Sequence, residues 1–259
     1  MSFSPTQLIK ALIPAAMRPA QVARRSLSDL AVREVVAGGP FAGMIYPAES
    51  VGSANWPKRL GVYENELVDT LTRFDAVPPP VVINVGAAEG YYALGCARRW
   101  PTTKIIAFEQ DPAGRELLTR YAARNQVSER IDVRGLCTPA ELSPLLRAWP
   151  RGLLLMDVEG AEDELLDGPV IDALRQYHVV VELHDLRRER LGERLRARFE
   201  GTHRIEQIET RPRRLSDFSY PANPLLRLYL FRQLRDFADE LRGAPMRWFV
   251  MAPREASRP

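Results

Sequence analysis

Cysteine is scarce: Cys96 and Cys137 are the only two in 259 residues. Two thiols cannot build a disulfide framework or a four-ligand zinc site, so the fold must rest on its apolar core, and a reducing cytoplasm is the expected setting. Lysine is almost missing as well. Among 36 basic residues only Lys10, Lys58 and Lys104 are lysines, and 33 acids nearly cancel the total. So balanced a chain carries no strong one-signed field, and nucleic acid is not the expected partner. No apolar run approaches the ~18 residues of a membrane span. The opening "MSFSPTQLIKALIPAAMRPAQVARRS" is broken by Lys10 and Pro14; it is expected to cap the domain as a helix rather than serve as a cleaved signal or a membrane anchor. There is no internal repeat. What remains is a chain 46% hydrophobic, enough for one full core.

The short "VPPP" at Val77 to Pro80 divides the sequence. Prolines cannot continue a helix, so residues 1–76 read as an N-terminal cap segment and 77–259 as the main domain. From there strands and helices alternate. "VVINV" (81–85), "KIIAFE" (104–109), "IDVRG" (131–135), "GLLLMDV" (152–158) and "HVVVELH" (178–184) read as buried strands. Helices are expected from Pro112 to about Gln126, from Pro139 to about Ala148, and near 162–174. Continuous apolar strands with helical crossovers belong to a parallel sheet covered on both faces. Further on, Leu191, Leu195 and Phe199 mark an amphipathic helix and "HRIEQIE" (203–209) a half-buried strand. Leu230, Leu234, Phe237 and Leu241 mark another helix, and "RWFVMA" (247–252) a last strand. The expected fold is α/β, a doubly wound sheet of seven strands.

Ligands of such sheets lie beyond the carboxyl ends of the strands, where strand order reverses. The loop "NVGAAEGYY" follows the first strand there. Gly86, Ala87, Ala88 and Gly90 keep side chains out of a ligand's way, and the helix opening near Tyr91 points free N–H groups at it. A dinucleotide fingerprint from Gly86 would need glycine at 88 and 91, where Ala88 and Tyr91 stand. Glu89 inside the frame would repel a pyrophosphate yet tolerate a cationic aminoacyl sulfonium, which favours S-adenosyl-L-methionine. Glu109, at the end of the second strand and followed by Gln110, is placed to accept from both ribose hydroxyls. Leu136 and Cys137 would flank the adenine; plain packing accounts for them equally well.

Together, "VVINVGAAEGYYAL", "IIAFEQDP", Arg124 with Asn125, "LLLMDVEGAEDELLDG" and "VVVELH" resemble the FkbM-type family of S-adenosylmethionine-dependent methyltransferases over roughly residues 60–190. The most specific piece is "DVEGAEDELLDG", Asp157 to Gly168. The resemblance implies a Rossmann-like class I methyltransferase domain with a terminal antiparallel strand, acting in many relatives on hydroxyls of sugars or natural products. It also implies Glu64, in "GVYENEL", as an acid near the cofactor. Asn84 stands where the family pattern usually has Asp, so no carboxylate role is assigned there.

Asp157 and Glu159 follow the fourth strand, and Glu182 and His184 end the fifth. Two adjacent strand ends thus offer carboxylates and an imidazole where a methyl group would be transferred. In one mechanism His184 is the general base for an acceptor hydroxyl, oriented by Asp157 or Asp185. In the other, Asp157, Glu182 and His184 hold a divalent cation, Mg²⁺ or Mn²⁺, that acidifies it. The metal-free base is preferred. His178 and His203 are expected to be structural. The insertion 210–224 is a candidate lid, with Arg211, Arg213 and Arg214 for a phosphate or sugar acid and Phe218 and Tyr220 for a sugar face. The expected activity is O-methylation of a small-molecule or glycan acceptor. RNA methylation and a non-catalytic adenosyl-binding role are the alternatives, the Arg-rich helix 187–198 being too interleaved with glutamate to favour RNA.

Overall fold

The computed structural model describes residues 14–185, 190–242 and 245–254. The expected helix before Pro14 and the first residues of the Arg-rich helix at 187–198 lie outside them. Helices α1 (Pro19–Arg33), α2 (Asn55–Leu60) and α3 (Val68–Thr72) precede β1 (Val81–Val85). The chain continues through α4 (Tyr91–Arg99), β2 (Lys104–Phe108), α5 (Pro112–Arg124), β3 (Ile131–Arg134), α6 (Pro139–Ala148) and β4 (Gly152–Met156). Then come α7 (Glu162–Leu165), α8 (Pro169–Ala173), β5 (Tyr177–Leu183), α9 (Leu191–Phe199), β6 (His203–Glu209), α10 (Pro224–Phe237) and β7 (Arg247–Pro253).

The seven strands form one sheet in the order β3-β2-β1-β4-β5-β7-β6. Strands β1 to β5 are parallel, and β7 runs antiparallel to both its neighbours. This is the expected Rossmann-like doubly wound sheet, with strand order reversing between β1 and β4. Strand residues alternate between faces. Val81, Ile83 and Val85 enter one core with Leu154, Met156 and Phe199, whereas Val82 joins Leu153, Val180 and Trp248 in the other. Among the described residues no helix is long and apolar enough to cross a membrane.

Local chemistry explains where elements begin and end. Thr138 and Glu141 close a capping box before Pro139, so α6 takes the expected bounds. The single helix expected over 162–174 is two, because Gly168 adopts φ +47° and Pro169 starts a new turn. The helix marked by Leu230, Leu234, Phe237 and Leu241 begins earlier, at Pro224, since the Asn223 side chain accepts from the Leu225 and Leu226 amides, and it ends at Phe237, leaving Leu241 outside it.

The cap segment shares a third core with the far end of the chain: Ala23, Leu27 and Leu30 of α1 pack with Leu230, Leu234 and Phe218. A buried ion pair ties it to the main sheet. Lys58 Nζ lies 2.6 Å from Glu89 Oε1, with the two side chains 3% and 0% exposed. Tyr46 and Ser50 hydroxyls donate to the same oxygen, and the Val51 amide donates to the other. Burial alone would raise the Glu89 pKa. The Lys58 charge and these hydrogen bonds outweigh it and hold the carboxyl below its ordinary range. Removing one partner strands a buried charge, which costs about 3–5 kcal/mol. Lys58→Met is therefore expected to lower unfolding free energy by about that amount in a denaturant titration, with part of the loss recovered when Glu89→Gln is added. A Lys58→Met protein of unchanged stability would show that the pair does not anchor the cap.

Candidate active site

At the carboxyl ends of β1, β2 and β4 lies a cavity of about 380 Å³. Its nearest wall is the loop after β1. Gly86 and Ala87 amides both donate to Phe108 O at 2.9 Å, which folds the loop against the end of β2. Glu109 then fixes it: Oε2 accepts from the Ala88 amide at 2.6 Å and Oε1 from the Asp111 amide at 2.7 Å. This holds Ala88 at φ +48°, unusual for a residue with a side chain. Each Glu109 oxygen keeps a second lone pair for a ligand. Gly86 has no alternative, since an added Cβ would stand 1.7 Å from Asp157 O.

Gly86, Ala87, Ala88, Glu109, Gln110, Leu136, Cys137 and Asp157 all line the cavity. Gly90 shapes the turn beneath it, where a Cβ would meet Leu118 at 2.4 Å. Two assignments need correction. Glu89 is turned away into the cap and its charge answers Lys58, so it cannot meet a ligand in the loop. Glu64 is buried behind Tyr63 and Tyr92 and does not line the cavity.

Four lining residues carry buried polar atoms without a hydrogen-bond partner: Asn84 Oδ1, Tyr91 Oη, Trp248 Nε1 and Asp157 Oδ1. An orphaned buried polar atom costs about 1–3 kcal/mol. Four of them around one cavity mark a place where a polar ligand completes the bonding.

The second half of the site stands at the ends of β4 and β5. Asp157, Glu182 and His184 converge, each offering a donor atom within 4.8 Å of the others, but of the three only Asp157 lines the cavity. His184 is 6% exposed. Its Nδ1 lies 2.6 Å from Glu162 Oε1, and its Nε2 lies 3.6 Å from Asp157 Oδ1 and 3.7 Å from Glu159 Oε2. The orienting acid is therefore Glu162, fully buried, and not Asp185, which accepts from the Gly192 amide and pairs with Arg247. An Nδ1–H donated to Glu162 leaves the Nε2 lone pair facing the acids at the cavity edge. Burial would lower the His184 pKa, but the Glu162 hydrogen bond and the charges of Glu162, Asp157 and Glu159 raise it above 6.5.

Arg242 closes the back of this cluster. It pairs with Glu182, with Glu64 at 2.5 Å and with Glu240 at 2.9 Å. Burial, then the like charges of Asp157 and Glu64, push the Glu182 carboxyl up despite Arg242, and burial raises Asp157 too. Both carboxyls thus favour the neutral form more than a free carboxylate does. The Arg242 role and the Glu162 role were missed from sequence. The insertion is corrected as well. Arg213 is locked between Glu66 and Glu240, and Arg211 on Asp217. Phe218 is in the third core, and Tyr220 donates to Ser26 O. His203 is structural, with Nε2 at 3.0 Å from Tyr177 O.

No protein-family model matches this chain, and no curated protein matches it. Solved structures with a similar arrangement include the O-methyltransferase TomG from Streptomyces achromogenes, involved in tomaymycin synthesis and solved in complex with S-adenosylmethionine. It has a TM-score of 0.48 and 11% identity over 95% of this chain and 94% of that one. Cofactor-bound Rv0187 from MTB gives 0.43 and 18% over 81% and 92%. TYW2 from M. jannaschii, in complex with AdoMet, gives 0.42 and 14% over 73% and 76%. Likenesses this loose carry no functional argument, so function has to be read from this chain's own site.

That site makes a direct claim about His184. Replacing Glu162 by Gln removes the charge that favours imidazolium, so the His184 pKa in an NMR titration should fall. An unchanged titration would mean that Glu162 does not govern the ring.

Proposed function

We propose that this chain is an S-adenosylmethionine-dependent methyltransferase acting on a hydroxyl of a sugar, glycan precursor or natural product. The observation that carries this is the buried Glu162–His184 pair, whose free ring nitrogen faces the acids at the edge of a cavity with four orphaned polar atoms. When bound, the cofactor supplies a methyl carbon made electrophilic by positive sulfur. The donor set fits such a group. The Gly86–Ala88 backbone and Glu109 would take its sugar, Gln110, Leu136 and Cys137 would border its base, and Asn84 and Asp157 would face its amino-acid end.

The acceptor hydroxyl would approach from the His184 side. Nε2 accepts its proton, and Glu162, Asp157 and Glu159 stabilise the imidazolium. Asp157, Glu182 and His184 also form a donor set that suits a hard divalent cation. The guanidinium of Arg242 already supplies positive charge at Glu182, which favours the metal-free base. Acids crowd this edge and the insertion's Arg211 and Arg213 are paired internally. A neutral hydroxyl is therefore a better acceptor than a sugar acid or an RNA backbone. The buried free thiols of Cys96 and Cys137 accord with a cytoplasmic location.

His184→Ala should cut turnover by about 10²-fold or more while cofactor affinity by calorimetry stays within a few fold; wild-type turnover should survive exhaustive chelation. Normal turnover in the variant would end the general-base assignment, and loss on chelation would replace it with the cation. His184 serves as base only when neutral, and its pKa is raised above 6.5. The acid limb of kcat/KM is accordingly expected above that pH, with activity falling as pH drops through it. A limb at or below 6.5 would contradict the charge environment described above.

A further inference from the structure

At the opposite end of the sheet, on the face that carries Val180, lies a second cavity of about 630 Å³. This is within the roughly 300–1,000 Å³ of small-molecule sites. One wall is apolar, formed by Phe74, Val77 and the prolines before β1. The other side is basic. Arg73, Arg151 and Arg204 line it from three separate segments, with Glu206 as the one acid. Arg73 pairs with Glu206 at 3.0 Å, whereas Arg151 and Arg204 have no ion-pair partner among the described residues. Three guanidiniums against one carboxylate leave two positive charges around the cavity.

The interior supplies polar atoms as well. Thr70 is 2% exposed, lines the cavity, and its Oγ1 has no hydrogen-bond partner. A threonine inside a helix ordinarily bonds a carbonyl one turn back, so this hydroxyl is left for something else. His178 is half-buried with its ring edge-on to Phe74 at 5.0 Å. Burial, then the Arg73 charge, lowers its pKa and keeps the imidazole neutral, able to donate one hydrogen bond.

We infer that this cavity binds a phosphate monoester carried on a flat or apolar body. Arg151 and Arg204 take the dianion, Thr70 and His178 donate beside it, and Phe74 with the prolines packs the organic part. Arginine forks match phosphate oxygens, and two net positive charges match a dianion better than a single carboxylate. The site is independent of the methyl-transfer reading, since its residues lie outside the first cavity except for Val180.

The test is isothermal titration calorimetry of the full chain with phenyl phosphate, alongside benzoate and inorganic phosphate. Phenyl phosphate should bind more tightly than either of the others. Combined Arg151→Ala and Arg204→Ala should weaken it by at least about tenfold, as expected for lost charge-assisted bonds. Both residues are exposed, so the variant's thermal unfolding should match wild type. Thr70→Val should weaken binding with the fold intact, as a milder second probe. No measurable heat with phenyl phosphate, equal affinity for inorganic phosphate, or equal affinity in the double-arginine variant would each overturn the proposal.

Discussion

Where β1 and β4 end, two backbones run almost in contact. The Asp157 amide donates to Val85 O at 3.0 Å, and Gly86 passes so close to Asp157 O that no side chain could stand there. The glycine also needs φ +81°, which residues with a Cβ rarely adopt. This one approach gives the two halves of the site a common reference. The loop that walls the cavity starts at Gly86, and Asp157, the residue it presses against, begins the acid cluster at His184. A shift at either point would separate the cavity from the cluster around His184.

The second constraint is charge. Removing ionised groups from water is expensive, and attraction repays it only when the remaining donors and acceptors are also satisfied. The protein meets this by closing its buried charges into small sets. Lys58 and Glu89 form one, completed by two hydroxyls and an amide. Arg242 forms another with Glu64, Glu182 and Glu240. What escapes closure is informative. Asp157 keeps an unpartnered oxygen, and His184 turns one nitrogen toward it at a distance too long for a hydrogen bond. The edge around His184 is thus where the pairing is incomplete.

The sequence made the sheet legible because strands buried on both faces leave unbroken apolar runs, and β1, β2 and β4 are of that kind. Glu109 and the glycine loop stood out by residue type alone, although what holds them lies further off: Ala88 is 21 residues before Glu109, and Gly86 is pressed against Asp157. Glu89 was misread because only its position inside the loop was visible, whereas its partner Lys58 arrives from 31 residues earlier. Glu162 was hidden by its setting. An acid in a run of acids at a helix start is expected there for the dipole alone, and nothing local says that one of them reaches His184. Arg242 comes from the connection before β7, with its targets 60 and 178 residues away. The insertion's arginines and aromatics looked like a lid because composition does not reveal partners: Arg211 and Arg213 are ion-paired, Phe218 is in the third core and Tyr220 bonds Ser26, while Arg214 is exposed.

The two cavities stand at opposite ends of the sheet yet share a lining residue. Val180 borders both, while Leu67 borders the first and Thr70 the second. Those last two residues stand at the start and middle of the same short stretch around α3, one turn of helix apart. Leu67 is 2% exposed and packs into the core on that face. A close-packed interior transmits displacement instead of absorbing it, so a movement of Thr70 is felt at Leu67, just before α3. The stretch from Leu67 to Thr70 is therefore a boundary that the two cavities share, Leu67 on the first and Thr70 on the second.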